Sequence, residues 1–425
     1  MMRRTNGYDR WLKRWPVKNR ILSSISGYEL KTLTLTILLV ICGSLGLDIH
    51  LASMPHIMKY MHTNKQHMQQ SVTLFILGVA LSILIYGPLS DKVGRKPVIL
   101  FGMGLACVSS FLTATTSTIS TFLILRLLQG VGSGVCWGMG RIVAADVMQG
   151  ERLAAIGSYF TLFLSLSPML APAIGGYMQH WFGWQSNFVL LGGTILVVFL
   201  CLLFYLDETN RHKKQDAFKL KPLLLTYFSF FKEKTFVGCT LLTGIAMSAN
   251  IVYVAMSSFI FQHEFHVTPI TFGWLTAIVG LASILGKLIS PFFIYQLKRY
   301  KSLILGLILL LFSGVLLFMF ILYGYNNKYF VILSASLTIF GIVLIGSITM
   351  SMALSPFHDR RGAAGALFGS FQLLISFIAS AFATSISHGG SDVLSGSYIV
   401  LGLLGFLVYF TLIRGASGLC FEKCK

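Results

Sequence analysis

The chain has 425 residues, of which 55% are hydrophobic and 11% charged, with a mean hydropathy of +0.77. Soluble globular proteins carry about 25% charged residues, so the composition excludes a soluble enzyme and fits a polytopic membrane protein. The net charge of +19 does not point to nucleic acid, because the cations fall in short segments between apolar runs and form no aromatic-studded basic domain.

After a basic tail at 1–31 come six apolar segments, at 32–54, 71–89, 97–117, 119–141, 154–179 and 187–206. A hydrophilic break at 207–234 follows. Six more segments lie at 235–261, 270–296, 302–323, 329–352, 362–387 and 394–414, and the chain closes with a tail at 415–425. Each segment has about the 20 residues that cross a bilayer as a helix. Helix is the form that satisfies every backbone group within the segment. The expectation is an all-α protein of twelve transmembrane helices in two six-helix bundles, 32–206 and 235–414. Equal halves suggest an internally repeated transporter with its site near the midplane.

Charge sets the orientation. With both termini cytoplasmic, inner segments hold 28 of the 33 Lys and Arg, and the outer side keeps Lys59, Lys65 and Lys328. That split places the chain in a cell inner (plasma) membrane with both ends inside. The first 31 residues are polar and basic, unlike a cleavable signal peptide. Trp11, Leu12 and Trp15 beside Arg10, Lys13 and Arg14 suit either a helix on the anionic inner leaflet or a solvated tail. No loop is long enough for an ATPase domain and no phosphate-binding G-x-x-x-x-G-K-[ST] loop is present. A proton gradient is the expected energy source, with no cofactor and no metal.

Three motifs carry a family resemblance. Gly87-Pro88-Leu89-Ser90-Asp91-Lys92-Val93-Gly94-Arg95-Lys96, after segment 2, resembles motif A of the major facilitator superfamily. Glycines there permit a tight turn and close helix approach. Asp91 can cap a helix or pair with a cation. Arg95 and Lys96 would hold the loop at the inner surface. The resemblance implies a conformational latch built from Gly87, Asp91, Gly94, Arg95 and Lys96. Segment 4 contains Arg126-Leu127-Leu128-Gln129-Gly130-Val131-Gly132, similar to motif B. Segment 5 reads Ser167-Pro168-Met169-Leu170-Ala171-Pro172-Ala173-Ile174-Gly175-Gly176 and resembles motif C of the antiporter branch. Pro168 and Pro172 remove backbone donors, and Gly175 and Gly176 permit close packing on a neighbouring helix.

Asp48-Ile49-His50-Leu51-Ala52-Ser53-Met54-Pro55 looks like the span-1 signature of the Bcr/CflA-type drug exporters, and Tyr253 to Phe261 and Gly362 to Gln372 are similar to that subgroup. The resemblance implies a drug:proton antiporter that works as a monomer on a small-molecule substrate. Departures from the subgroup pattern stand at His50, Ala52, Ile83, Gln185 and Ser258, several of them near the expected cavity, and imply a shifted substrate.

Asp48 is the one acidic residue inside a predicted span. A carboxylate in a low-dielectric site exchanges its proton closer to neutrality than one in water, as a proton carrier must. The alternative is a helix-end carboxylate that is capped or hydrated. Arg126 lies inside segment 4, where an unpaired charge is costly. Each lies about 10 Å from the outer end of its span at 1.5 Å per residue, so the expectation is that Arg126 tunes proton binding at Asp48. Ser44, Asp48, Ala52 and Pro55 fall on one helical stripe, with His50 on another face. Arg126, Gln129, Ser133 and Trp137 form a second stripe. With Gln372 of segment 11 these are candidate cavity residues, and Trp137 is suited to stack on an aromatic or cationic ligand. Lys287 lies near mid-membrane, either snorkelling inward or facing the cavity to attract anions.

Seven His on or near the outer side show no metal-ligand spacing, and the Cys read as packing residues. No catalytic triad appears, so no enzyme is expected. The reading is a proton-coupled antiporter exporting drug-like amphipathic compounds by alternating access. Two alternatives remain. One is a proton-coupled carrier of an anionic metabolite or carboxylate siderophore. The other is a non-transporting membrane sensor on the same scaffold.

Overall fold

Helix starts are written in the sequence. Ser26 opens the first helix with a capping box, its hydroxyl accepting from the Glu29 amide at 3.2 Å while the Glu29 carboxylate accepts from the Ser26 amide at 2.7 Å. Asn64, Thr268 and Asn327 cap later helices more simply, each side chain accepting from a backbone amide of the first turn.

The computed structural model describes residues 26–148, 150–210, 213, 220–357, 360–386 and 390–414, with helical backbone alone at 150–163 and 220–224. Residues 1–25, including the Trp11–Trp15 stretch, and the tail at 415–425 lie outside the described residues, and the first helix begins at Gly27, inside the basic segment expected to be tail. Among those described there is no strand. The helices are α1 Gly27–Asp48, α2 Met54–Tyr60, α3 Lys65–Val93, α4 Arg95–Thr115, α5 Ile119–Val147, α6 Gly150–Phe182 and α7 Gln185–Tyr205. They continue with α8 Leu220–Phe230, α9 Lys234–Phe259, α10 Pro269–Leu322, α11 Lys328–Leu354, α12 Arg361–Ser385 and α13 Ser391–Val408.

Ten helices among the described residues are long and apolar enough to cross a membrane. The 54-residue α10 would be about 81 Å long if straight, far beyond one crossing. Lys298 interrupts it with φ 62° and ψ 163°, so segments 8 and 9 join at one backbone break without an intervening loop. Large apolar side chains such as Phe101, Phe204, Leu288 and Phe382 are exposed on the flanks, as lipid-facing residues are.

Several boundaries differ from the sequence reading. Segment 1 stops being α-helical at Asp48, passes through a 3-10 turn at Leu51–Ser53 and resumes as α2. Segment 4 does not end at Arg141: α5 runs on to Val147, which places Arg141 about 9 Å inside its helix. The hydrophilic break contains helix α8, because 220–230 is an apolar stretch within an otherwise charged segment.

Glycines set the closest helix contacts of the first half. A Cβ on Gly130 would strike the backbone of Phe75 in α3, and one on Gly132 would strike Gly102 and Ala106 in α4. Thus α5 is clasped between α3 and α4 where motif B lies. Buried Ser and Thr satisfy themselves on the preceding turn, as Ser110 does on the Ala106 carbonyl and Thr240 on that of Phe236. The halves meet along α6 against α10 and α3 against α12.

Candidate functional site

Counting crossings puts Gly27, the 93–95 turn, Lys298 and Arg414 at one end of the bundle, here the terminal end, and the 61–64 and 265–268 turns at the far end.

Asp48 is the last residue of α1, where the helix breaks, and is 4% exposed. Ser167 of α6 donates to Asp48 Oδ2 at 3.2 Å. The sequence expected Asp48 and Arg126 to interact. They share no hydrogen bond or ion pair among the described residues. Instead Arg126 Nη1 donates to the Gly46 carbonyl at 3.0 Å and to Gln129 Oε1, and the guanidinium lies 4.6 Å from the Phe75 ring centroid. Gln129 Nε2 then donates to Ser110 Oγ at 2.6 Å. The reason is local. The α-helix carries the carboxylate toward α6, while the Gly46 carbonyl, with no side chain beside it, is the acceptor that faces α5.

The stripe expected to continue from Ser44 through Asp48 to Ala52 and Pro55 is cut by the break after Asp48. Ser44 is buried and donates back to the Val40 carbonyl at 3.4 Å. His50, on the other face, is fully buried beside the Phe188 ring at 5.7 Å. Ser133 is buried, Trp137 is half-buried against Gly43, and Gln372 is half-buried on α12.

Motif C places its glycines on two faces of α6. A Cβ on Gly175 would strike the Ile49 carbonyl, and one on Gly176 would strike Pro269 and Ile270 of α10. Gly273 and Gly280 of α10 return the fit against Pro172–Ala173 and Met169. The helix runs unbroken through Pro168 and Pro172. Ser258 of α9 donates to the Leu51 carbonyl at 2.6 Å and Gln262 to that of Ala52 at 3.0 Å, so the halves are joined at the far end. Toward the terminal end, Lys287 of α10 donates to Ser165 Oγ of α6, and Ser370 of α12 to the Ala80 carbonyl at 2.6 Å.

At the terminal end motif A forms a polar network. Arg95 pairs with Asp91 at 2.5 Å and with Asp146 of α5 at 2.9 Å, and donates to Ser90 Oγ at 2.7 Å. Gly94 makes the turn with φ 124°, a conformation that favours glycine. The first amides of α4 have no helical acceptor of their own, and each is accounted for. Gly94 N–H donates to the Ser90 carbonyl, Arg95 and Lys96 donate to the Glu208 carboxylate at 2.8 and 3.2 Å, and Pro97 has no N–H. Thr209 donates to Asp146, and Asn210 to the Ser90 and Asp91 carbonyls. Lys31 pairs with Asp207 at 3.0 Å, both ends exposed. A Cβ on Gly87 would meet nothing within 4 Å, so close approach does not require glycine there.

Sequence reasoning missed Asp146, Glu208, Thr209, Asn210 and Ser165. The string Asp207-Glu208-Thr209-Asn210 directly after an apolar segment was the available signal. Among the described residues no cluster of His, Cys, Asp or Glu is arranged to hold a metal. A shallow groove of about 360 Å³ lined by Gly27, Leu30, Lys31, Thr34, Leu35 and Tyr205 contains none of the candidate residues.

The solved partially occluded, inward-open xylose transporter XylE from E. coli aligns with 91% of this chain and 98% of its own, at TM-score 0.73 and 13% identity. The human organic anion transporter MFSD10 aligns over 89% and 99%, at TM-score 0.67 and 15% identity. Both likenesses speak for the fold. Among curated proteins, the multidrug resistance protein MdtL of Shewanella oneidensis is 30% identical over 338 residues, covering 80% of this chain and 84% of that protein. Multidrug resistance protein D of Escherichia coli is 27% identical over 387 residues, covering 91% and 96%. The Major Facilitator Superfamily model matches residues 36–251 and 237–418. With helices and no strand among the described residues, and with both halves inside that match, the chain belongs to the major facilitator superfamily of membrane transporters.

Proposed function

We propose that this transporter is a proton-coupled antiporter that exports drug-like amphipathic compounds by alternating access, with its terminal end in the cytoplasm. The observation that carries the reading is Asp48. It is a buried carboxylate at a helix break, held by the neutral hydroxyl of Ser167 and not by a cation. A carboxylate locked in an ion pair stays ionised, whereas one held by a hydroxyl can take up and release a proton without breaking a salt bridge. Ser167 belongs to α6, which forms much of the seam between the halves, so a change of charge at Asp48 is felt where the halves move. Arg126, bonded to the Gly46 carbonyl two residues before Asp48, fixes the end of α1 and acts as a positioning residue. The Arg95 network would latch the cytoplasmic side, and the multidrug resistance names of the relatives support export of drug-like compounds.

The test uses purified protein in liposomes with an imposed pH gradient. Wild type should accumulate a lipophilic drug against its gradient and release protons on binding it. Asp48→Asn should insert and bind but fail to accumulate. Uphill transport by that variant at the wild-type rate refutes the proton-carrier assignment.

A further inference from the structure

Helix α8 belongs to neither bundle and has two unlike faces. Inward, Tyr227 is buried and its hydroxyl donates to the Leu84 carbonyl of α3 at 3.1 Å. Phe230 is buried against Phe357, with ring centroids 4.7 Å apart, and against Phe236 of α9 at 5.8 Å. Phe231, next in the chain, meets Phe371 of α12 at 4.9 Å. The Leu84 carbonyl lies one turn from that of Ala80, which accepts from Ser370, the neighbour of Phe371. Tyr227 and Phe231 therefore take hold of both halves at the seam between α3 and α12. Outward, Leu225 and Phe228 are 62% and 65% exposed and, three residues apart, share one face. Leu81 and Ile85 of α3 are exposed near the same Leu84 carbonyl, so the apolar stripe of α8 continues an exposed apolar flank of the bundle. Lysines border the helix. Residues 219–234 carry Lys219, Lys221, Lys232 and Lys234 against the single acid Glu233, and Lys232 and Lys234 are exposed. The 11 residues of α8 span about 16 Å, too short to cross a bilayer.

We propose that α8 is a membrane-surface helix docked on the leaflet at the terminal end, with Leu225 and Phe228 among the acyl chains and the bordering lysines on anionic lipid headgroups. An apolar stripe beside cations suits the boundary between acyl chains and headgroups, where each finds its own medium. The bilayer is the apolar medium that meets the adjoining flank of α3, and a negatively charged surface complements four lysines set against one acid. The depth of α8 in the leaflet bears on the seam, because the same short helix holds α3 through Tyr227 and leads into Phe231 on α12. Docking thus adds a dependence on lipid charge that is independent of the substrate carried.

The experiment places the photoreactive residue p-benzoylphenylalanine at Phe228 of the full chain, in nanodiscs of phosphatidylcholine with a minority of phosphatidylglycerol. Adducts formed on illumination are identified by mass spectrometry. The same group at Tyr325, exposed at the far end, is the control. At Phe228 the adducts should be on lipid, with phosphatidylglycerol enriched at least about fivefold over its share of the disc, the bias given by about one lysine at an anionic surface. At Tyr325 there should be no enrichment. Lys219→Gln, Lys221→Gln, Lys232→Gln and Lys234→Gln combined should bring the Phe228 adducts to the bulk lipid ratio at an unchanged thermal midpoint. Adducts on this chain's own 1–25, 211–219 or 415–425 segments, or on a second copy, overturn the proposal. So does equal enrichment at Phe228 and Tyr325, or enrichment that survives the loss of all four lysines.

Discussion

Replacing Glu208 by Ala removes the carboxylate that accepts the Arg95 and Lys96 amides at 2.8 and 3.2 Å. Its worth follows from the geometry. An acceptor at the start of a helix contributes about 1 kcal/mol, and a negative charge on the same terminus adds about 0.3–1 kcal/mol. Glu208 is exposed, so screening keeps the total near the lower end, about 1–2 kcal/mol. That corresponds to about a 5–30-fold shift in the balance between docked and undocked states. Pro97 removes the competing amide of the same turn, so the loss falls on two N–H groups alone. Hydrogen–deuterium exchange resolved to single amides in nanodiscs reads it directly. The Arg95 and Lys96 amides should exchange about 5–30-fold faster in Glu208→Ala, while those of the α4 interior stay as in wild type. Unchanged exchange at both positions would refute the docking of the 207–210 segment on the motif-A turn.

Asp146→Asn leaves Arg95 with Asp91 as its one carboxylate partner, and should cost about 1–2 kcal/mol, read as a lower thermal midpoint with transport reduced. Gly176→Val places a branched side chain on the Pro269 backbone and should stop transport. Gly193→Val, with nothing within 4 Å of its Cβ, should transport normally at equal expression. Lys298 holds a backbone conformation that is nearly exclusive to glycine, so Lys298→Gly should raise stability by about 1–3 kcal/mol, seen as a higher midpoint in thermal unfolding.

The spans were legible because a bilayer permits so few solutions. Length, hydropathy and the position of Lys and Arg determine them almost without chemistry. The motif turns were legible too, since Gly94 and Arg95 have no role in a plain helix. What escaped were pairings between elements distant in sequence. Helical periodicity placed Ser44, Asp48 and Ala52 on one face, but it assumes a continuous helix, and α1 breaks after Asp48. Depth counting put Asp48 and Arg126 at one level, yet depth carries no azimuth, and the two point to different neighbours. Segment 4 ends at Arg141 in the sequence because an apolar window ends at a charge. The helix does not end there, since the backbone bonds continue whatever the side chain carries.

Ser165 and Ser167 lie two residues apart on α6, about 200° around its axis, and they receive Lys287 on one side and donate to Asp48 on the other. A single helix thus touches both a carboxylate and an ammonium. If the chain exchanges a proton for a substrate as proposed, thermodynamic linkage imposes a symmetry on any ligand bound at this seam. The factor by which protonating Asp48 changes the ligand's affinity is the factor by which the ligand changes the proton affinity of Asp48. Under the proposed antiport, exchange would need no contact between proton and cargo, only a shared element whose position both of them bias.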